Sequence, residues 1–369
     1  MIADRLKNIN KSIIRQIFDS APPNAINMGL GEIQFNTPNI VKLKAKKAIN
    51  QNEIYYTPNA GLTELREAVA NYYNKQNMQT ISFKNTCIFN GAQEAIFSVL
   101  FSILNPNDEL IITDPTFLAY KTIAAMFGAS TKTFPLDSSK AFSFDIKQLE
   151  EQITQKTKAV FLNHPANPTG KAFSEKDIKE ISNLCKKHNI ILIADEVYIE
   201  LYLKKPIPSF WGHYDNTVII SGLSKSHCMT GWRIGWVVAK EELLEKFIVA
   251  HQYISTCVSP ITQKAAIAAL SEKGMETIKS LRKRLIKNYN IATQYLKNHI
   301  TYEAEVAPYL MIKIKDDDIT FCKQLAQKGL IVMPGSAFGK ESQGFIRINY
   351  ALNEKKLRMG LKILLKNLT

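Results

Sequence analysis

The chain has 369 residues, 46% of them hydrophobic and 22% charged, with a formal net charge of +14. That length suits two domains, and no apolar run reaches the roughly 18 residues of a membrane span. The charge can favour anionic ligands. The lysines are scattered, however, without a basic block, zinc-finger spacing, basic zipper or aromatic RNA-binding signature, so nucleic acid is not expected as a partner.

The opening stretch MIADRLKNINKSIIRQIF carries charges throughout and lacks the apolar centre of a signal peptide, which predicts a cytoplasmic protein. Residues 62–73 (LTELREAVANYY) have helical apolar spacing, and 92–104 (AQEAIFSVLFSIL) read as a buried helix opening directly after Asn90-Gly91. Short β-rich runs follow: ELIIT, KAVFLN, IILIAD, TVIISG and GWVVA, with helical patterns such as SEKDIKEISNLCKKHN between them. That alternation predicts an α/β fold with a mostly parallel sheet sandwiched by helices. Ligands of such sheets bind at the carboxyl ends of the strands.

After Pro260 long charged helices (261–299) lead to the short strands LMIKIK, LIVMPG and GFIRINYA and a final helix. This reads as a smaller α+β domain. The expected division is an N-terminal arm with part of the small domain (1–35), a large domain (36–258) and a small C-terminal domain (259–369). The five cysteines, Cys87, Cys185, Cys228, Cys257 and Cys322, are far apart, odd in number and form no C-x-x-C pair. Free thiols are expected, with neither disulfides nor a metal site.

The chemically unusual residues fall at the predicted strand ends. Lys225, in SGLSKSHCMTGWRIGW, follows a buried strand, where a charged group is unusual unless its amine is used, for example as a Schiff-base nucleophile. Read alone, it could equally be a surface lysine. Arg233, between Gly231 and Gly235, offers a cation beside backbone that a phosphate can approach. Asp195 closes IILIAD, and a carboxylate there needs a cation or strong donor. A pyridinium nitrogen would serve, and metal ligation is a weaker alternative without a nearby histidine. Tyr198 lies close enough to reach a phenolic oxygen on such a ring. Asn163-His164-Pro165-Ala166-Asn167-Pro168-Thr169-Gly170 forms a rigid turn carrying the Asn167 amide. Gly91, Ala92 and Gln93 open a helix whose free amides suit an anion. Neither a Walker loop nor a dinucleotide fingerprint is present. Arg347, in GFIRINYA, can pair bidentately with a substrate carboxylate or form a structural ion pair.

In this order the segments resemble the class I/II, fold-type I aminotransferases that use pyridoxal 5′-phosphate (PLP), from about Asn27 to the C-terminus. SGLSKSHCMTGWRIGW, NHPANPTG and ADEVY carry the resemblance. KSHCMTGWRIG and HQYISTC resemble the bacterial aminotransferase A, or N-acetyl-LL-diaminopimelate aminotransferase, type. The resemblance implies a seven-stranded sheet and PLP joined to Lys225 as an internal aldimine. It further implies Asp195 on the pyridine nitrogen, and Asn167 and Tyr198 on the ring oxygen. Gly91, Ala92, Gln93, Ser224 and Arg233 would surround the phosphate, and Phe117 (in DPTFLAY) would stack on the ring. Tyr56 (in YYTPNAG) would reach the phosphate of a neighbouring subunit, implying a homodimer with shared sites. Gly31, Asn167 and Arg347 would meet the substrate.

Two positions depart from the pattern. Cys228 stands where a small non-thiol residue is usual. Val306-Ala307-Pro308-Tyr309 replaces a glycine-alanine-phenylalanine-tyrosine stretch, which predicts loss of an aromatic contact near the substrate. The expected activity is ping-pong transfer of an amino group from an L-amino acid to a 2-oxo acid. A C–S β-lyase on the same scaffold is the alternative, since fold does not fix function. A PLP-sensing DNA-binding regulator is disfavoured by the short stretch before Gly29.

Overall fold

A computed structural model describes residues 3–7, 9, 13–75 and 80–368. The chain begins with α1 (Ile13–Ser20), β1 (Ile26–Asn27), α2 (Asn39–Asn50) and α3 (Thr63–Asn74). Next come β2 (Thr86–Phe89), α4 (Ala92–Ile103), β3 (Glu109–Asp114), α5 (Ala119–Met126), β4 (Ser130–Pro135), α6 (Ile146–Glu150), β5 (Thr157–Asn163) and α7 (Glu175–Lys187). They are followed by β6 (Ile191–Asp195), β7 (Thr217–Gly222), β8 (Gly235–Val238), α8 (Glu241–Ser255), α9 (Pro260–Leu270) and α10 (Glu272–Tyr295). The last elements are β9 (Tyr309–Lys313), α11 (Asp318–Gln327), β10 (Leu330–Ile331), β11 (Met333–Pro334), β12 (Phe345–Asn349) and α12 (Glu354–Leu368).

The main sheet has seven strands in the order β2-β8-β7-β6-β5-β3-β4. It is parallel except for β8, which runs antiparallel to both neighbours. Successive side chains of a strand point to opposite faces. Val160, Leu162, Leu192, Ala194 and Ile219 therefore enter one core, while Ala159, Phe161, Ile193, Val218 and Ile220 enter the other. Burial on both faces explains the unbroken apolar runs of β5, β6 and β7.

The helices obey the complementary period. In α7, Ile178, Ile181, Leu184 and Cys185 are buried, and the Ser174 hydroxyl opens the helix in a reciprocal capping box with Asp177. The tract 261–299 breaks at Ser271, which ends α9 and whose hydroxyl accepts the Gly274 amide at 3.2 Å to start α10. LIVMPG likewise splits: β10 pairs with β1, and β11 with β12 in a three-stranded antiparallel sheet completed by β9. The N-terminal segment is thus hydrogen-bonded to C-terminal elements. Among the described residues no helix is long and apolar enough to cross a membrane.

Asn163 and Asp195, the last residues of β5 and β6, are register partners. Gly222 ends β7 two residues before Ser224. The sheet thereby delivers the turn after Asn163, the Asp195 carboxylate and the Lys225 loop to one edge.

Candidate active site

One part of this edge is a narrow cradle. Gly91, at φ +85°, links β2 to α4; a Cβ there would lie 2.4 Å from Arg233 Nη2. A Cβ on Gly235 would lie 2.6 Å from the Ala92 amide nitrogen. Both positions need glycine, because a side chain at 91 would run into the Arg233 guanidinium and one at 235 into the backbone of Gly91, Ala92 and Ser221. The Asn90 amide donates to Glu94 and the Gly91 amide to the Phe89 carbonyl, while those of Ala92 and Gln93 open the twelve-residue α4. Arg233 is held by an Nη1 bond to the Thr230 carbonyl at 2.8 Å. Ser224 borders the same loop, half-buried.

Beside the cradle the Lys225 amine donates to the Gly31 carbonyl. It lies 5.6 Å from the centre of the Tyr198 ring. Asp195 is buried. Burial pushes its carboxyl up to about 6, against the Tyr120 hydrogen bond, the Val197 amide and the Lys225 charge. Tyr120 donates to Asp195 Oδ2 at 2.7 Å and stacks on Phe161, ring centres 4.0 Å apart. Phe117 meets Tyr120 edge-on at 5.6 Å.

The third part is a buried cation. Arg347 projects from β12 and donates through Nη1 to Asn167 Oδ1 at 2.6 Å and through Nη2 to the Gly29 carbonyl. Its guanidinium carbon lies 4.3 Å from the Tyr309 ring centre and 4.6 Å from that of Phe338. Burial lowers its pKa from the usual arginine value, opposed by the two tyrosines Tyr309 and Tyr198. Its Nε has no hydrogen-bond partner among the described residues. Because Arg347 takes the Asn167 oxygen, that side chain's NH2 group is left to act as a donor.

Hydrogen bonds and ring contacts thus join Lys225 to Gly31, Tyr198 to Tyr309, and Arg347 to Tyr309, Asn167 and Gly29, while the Lys225 charge acts on Asp195 without a direct contact. Tyr56 is apart: it is 89% exposed. Two tyrosines were not singled out as site residues from sequence. Tyr120 has its partner 75 residues away, so no local pattern marks it. Tyr309 brings an aromatic ring despite the expected loss at Pro308, with its hydroxyl 2.9 Å from that of Tyr198. At Cys228 the backbone is left-handed (φ +53°), and burial pushes the thiol up to about 12. A cleft of about 1210 Å³ beyond Ala166, lined by Phe142, Phe173 and Trp211, contains none of the expected site residues. Among the described residues no cluster of His, Cys, Asp and Glu could hold a metal.

The model of the family "Aminotransferase class I and II" matches residues 23–364. This chain belongs to that family. It is 33% identical to an aspartate aminotransferase of Pyrococcus abyssi, covering 98% of this chain and 96% of the relative. It is 35% identical to a probable N-acetyl-LL-diaminopimelate aminotransferase of Bacillus subtilis, with 92% and 88% covered. The crystal structure of an aspartate aminotransferase from Thermotoga maritima superposes with a TM-score of 0.93 at 29% identity, covering 99% of each chain. The aminotransferase is accordingly a PLP-dependent enzyme that transfers amino groups. Its residues suit that cofactor: the glycine cradle matches a phosphate, and the buried Asp195, lacking a direct cationic contact among the described residues, matches a pyridinium.

Proposed function

We propose that Lys225 carries PLP and that an L-amino acid and a 2-oxo acid exchange the amino group in two half-reactions. The observation carrying this reading is the juxtaposition of the Lys225 amine, the buried Asp195 carboxylate and the half-satisfied Arg347 guanidinium. When bound, PLP supplies the electron sink that acidifies the substrate Cα–H. Arg347 would grip the substrate α-carboxylate, with Asn167 fixing the guanidinium plane and Gly31 leaving room. Asp195 holds a proton on the ring nitrogen, and Tyr120 fixes the carboxylate that does so. Tyr198 and Asn167 would donate to the ring oxygen, while Phe117 would stack on the ring. The amides of Ala92 and Gln93, with Gly91, Ser224 and Arg233, receive the phosphate. With PLP bound, the Lys225 amine would be placed to take the Cα proton onto Nζ and to give it back.

The enzyme is further proposed to be a cytoplasmic homodimer in which Tyr56 of each protomer completes the other's phosphate site. Ile54, Tyr55, Tyr56, Tyr253 and Ile254 are 43–89% exposed, an apolar surface suited to a second copy. The division into an arm (1–35), a large domain (36–258) and a small domain (259–369) belongs to the same reading. No observation favours a C–S lyase.

Purified enzyme should absorb in the visible from Lys225-bound cofactor, and the band should shift on adding an amino acid. Lys225→Ala should lack the band; its persistence would overturn the assignment. Aspartate, aromatic amino acids and N-acetyl-LL-diaminopimelate, the groups named among the relatives, form the first donor panel.

A further inference from the structure

The motif HQYISTC has no role in the chemistry above, yet its first and fifth residues reach the cradle. Glu94, in the first turn of α4, is surrounded by donors. The Asn90 amide lies 2.6 Å from its Oε2, and the Ser255 hydroxyl (2.6 Å) and His251 Nδ1 (2.7 Å) share its Oε1. Asn90 Nδ2 closes the ring by donating to the Ser255 hydroxyl at 2.9 Å. The His251 side chain is inaccessible and that of Glu94 only 10% exposed. The His251 ring packs edge-on against Phe89, the residue that ends β2. Burial pushes the Glu94 carboxyl up, but the His251 and Ser255 hydrogen bonds, the His251 charge and the Asn90 amide outweigh it and leave it lowered.

Ser255 also ends α8 in an unusual turn. Thr256 has φ +64° and ψ −62°, and the Cys257 amide bonds the Ser255 carbonyl at 2.7 Å. A γ-turn of this hand is strained for a β-branched residue. It is tied to the segment after Tyr56: Asn59 Nδ2 donates to the Thr256 carbonyl at 2.7 Å. The buried Gln263 side chain clasps Thr57, Leu62 and Val258 at 2.7–2.9 Å. Such strain persists only where the surroundings enforce it.

We propose that Glu94, held by His251 and Ser255, is a positioning residue. It clamps Asn90 so that the Ala92 and Gln93 amides face the phosphate, and it fixes the Tyr56-bearing segment to that same cradle. The inference rests on the proposed phosphate site. It makes a counter-intuitive prediction of sign. A carboxylate one helical turn from an anion repels it. On charge alone, deleting Glu94 would tighten phosphate binding; as a clamp, its loss weakens it.

The test titrates apoprotein with PLP and, separately, with pyridoxal, which lacks the phosphate. Glu94→Ala is expected to raise the PLP dissociation constant about tenfold, the scale of one or two hydrogen bonds to a charged group. Pyridoxal binding should be unchanged. Glu94→Gln keeps the Asn90 contact through its one amide oxygen, with its NH2 group donating to the Ser255 hydroxyl or to an unprotonated His251 Nδ1, and should stay within about threefold of the parent. Unchanged or tighter PLP binding in Glu94→Ala, an equal loss for pyridoxal, or no rescue by Gln would overturn the proposal. Should Glu94→Ala fail to fold, Ser255→Ala should weaken PLP about threefold and leave pyridoxal unaffected, and no change there would overturn it. A parent enzyme lacking the visible band would instead bring down the cofactor assignment itself.

Discussion

Replacing Tyr120 with phenylalanine isolates one hydrogen bond. The ring that stacks on Phe161 is kept, and only the hydroxyl 2.7 Å from Asp195 Oδ2 is lost. A hydrogen bond to a neutral group is worth about 1 kcal/mol and one to a charged group about 1.5–3. The charged form of Asp195 therefore loses more, by roughly 1.4 kcal/mol, which corresponds to one pKa unit. Asp195, raised by burial to about 6, should then titrate near about 7 in Tyr120→Phe apoprotein. Isotope-labelled aspartate carboxyl carbons report this by NMR, with Asp195→Asn identifying the resonance. The sign carries into stability. The native pKa lies above the unfolded value, so the contribution is fully present at low pH and is lost as pH rises through about 6. In the variant that loss should extend upward by about one unit. An unmoved midpoint would refute the claim that Tyr120 counters burial at Asp195.

Other substitutions follow from the same geometry. Gly91→Ala must place a Cβ 2.4 Å from Arg233 Nη2 at φ +85°. It should cost about 1–3 kcal/mol in thermal denaturation and weaken PLP at the same time. Arg347→Gln should raise KM for the donor amino acid about a hundredfold, with a smaller change in kcat, in steady-state kinetics; equal effects on both would argue against a carboxylate anchor. Glu196 is buried, accepts from Ser209 and the Phe210 amide, and is raised by burial to about 8. Its stability contribution is lost as pH climbs from the ordinary glutamate range through about 8, so Glu196→Gln should flatten the melting-temperature profile there.

The sequence exposed those parts of the molecule whose physics is local. Strands β5, β6 and β7 are buried on both faces and read as continuous apolar runs, and their ends carry Asn163, Asp195 and the Lys225 loop. Edge strand β4 (STKTFP) is mostly half-exposed and mixes polar with apolar residues, so nothing in it stands out. The break at Ser271 was hidden because helical spacing continues on both sides of it, and only the hydroxyl's bond to Gly274 reveals a new start. At the site, Gly91, Asn167, Asp195 and Lys225 were legible because each closes or follows a strand. Tyr120, Glu94 and His251 were not, since Tyr120 lies 75 positions from Asp195 and Glu94 lies 157 from His251.

The antiparallel strand β8 has a consequence for the order in which the enzyme acquires its parts during synthesis. β8 sits between β2 and β7, so Gly235 and Arg233 come to lie against Gly91 and Ala92 only when the sheet's last-made strand is inserted between two strands already translated. A chain translated only as far as β7 would own the Asp195 carboxylate and the opening of α4, but would still lack Lys225 and the Arg233 and Gly235 half of the cradle. Arg347 arrives later still. On the roles proposed for Lys225, Arg233 and Arg347, cofactor capture would be a late event in the life of the chain, and retention of PLP would report that its final strands have found their places.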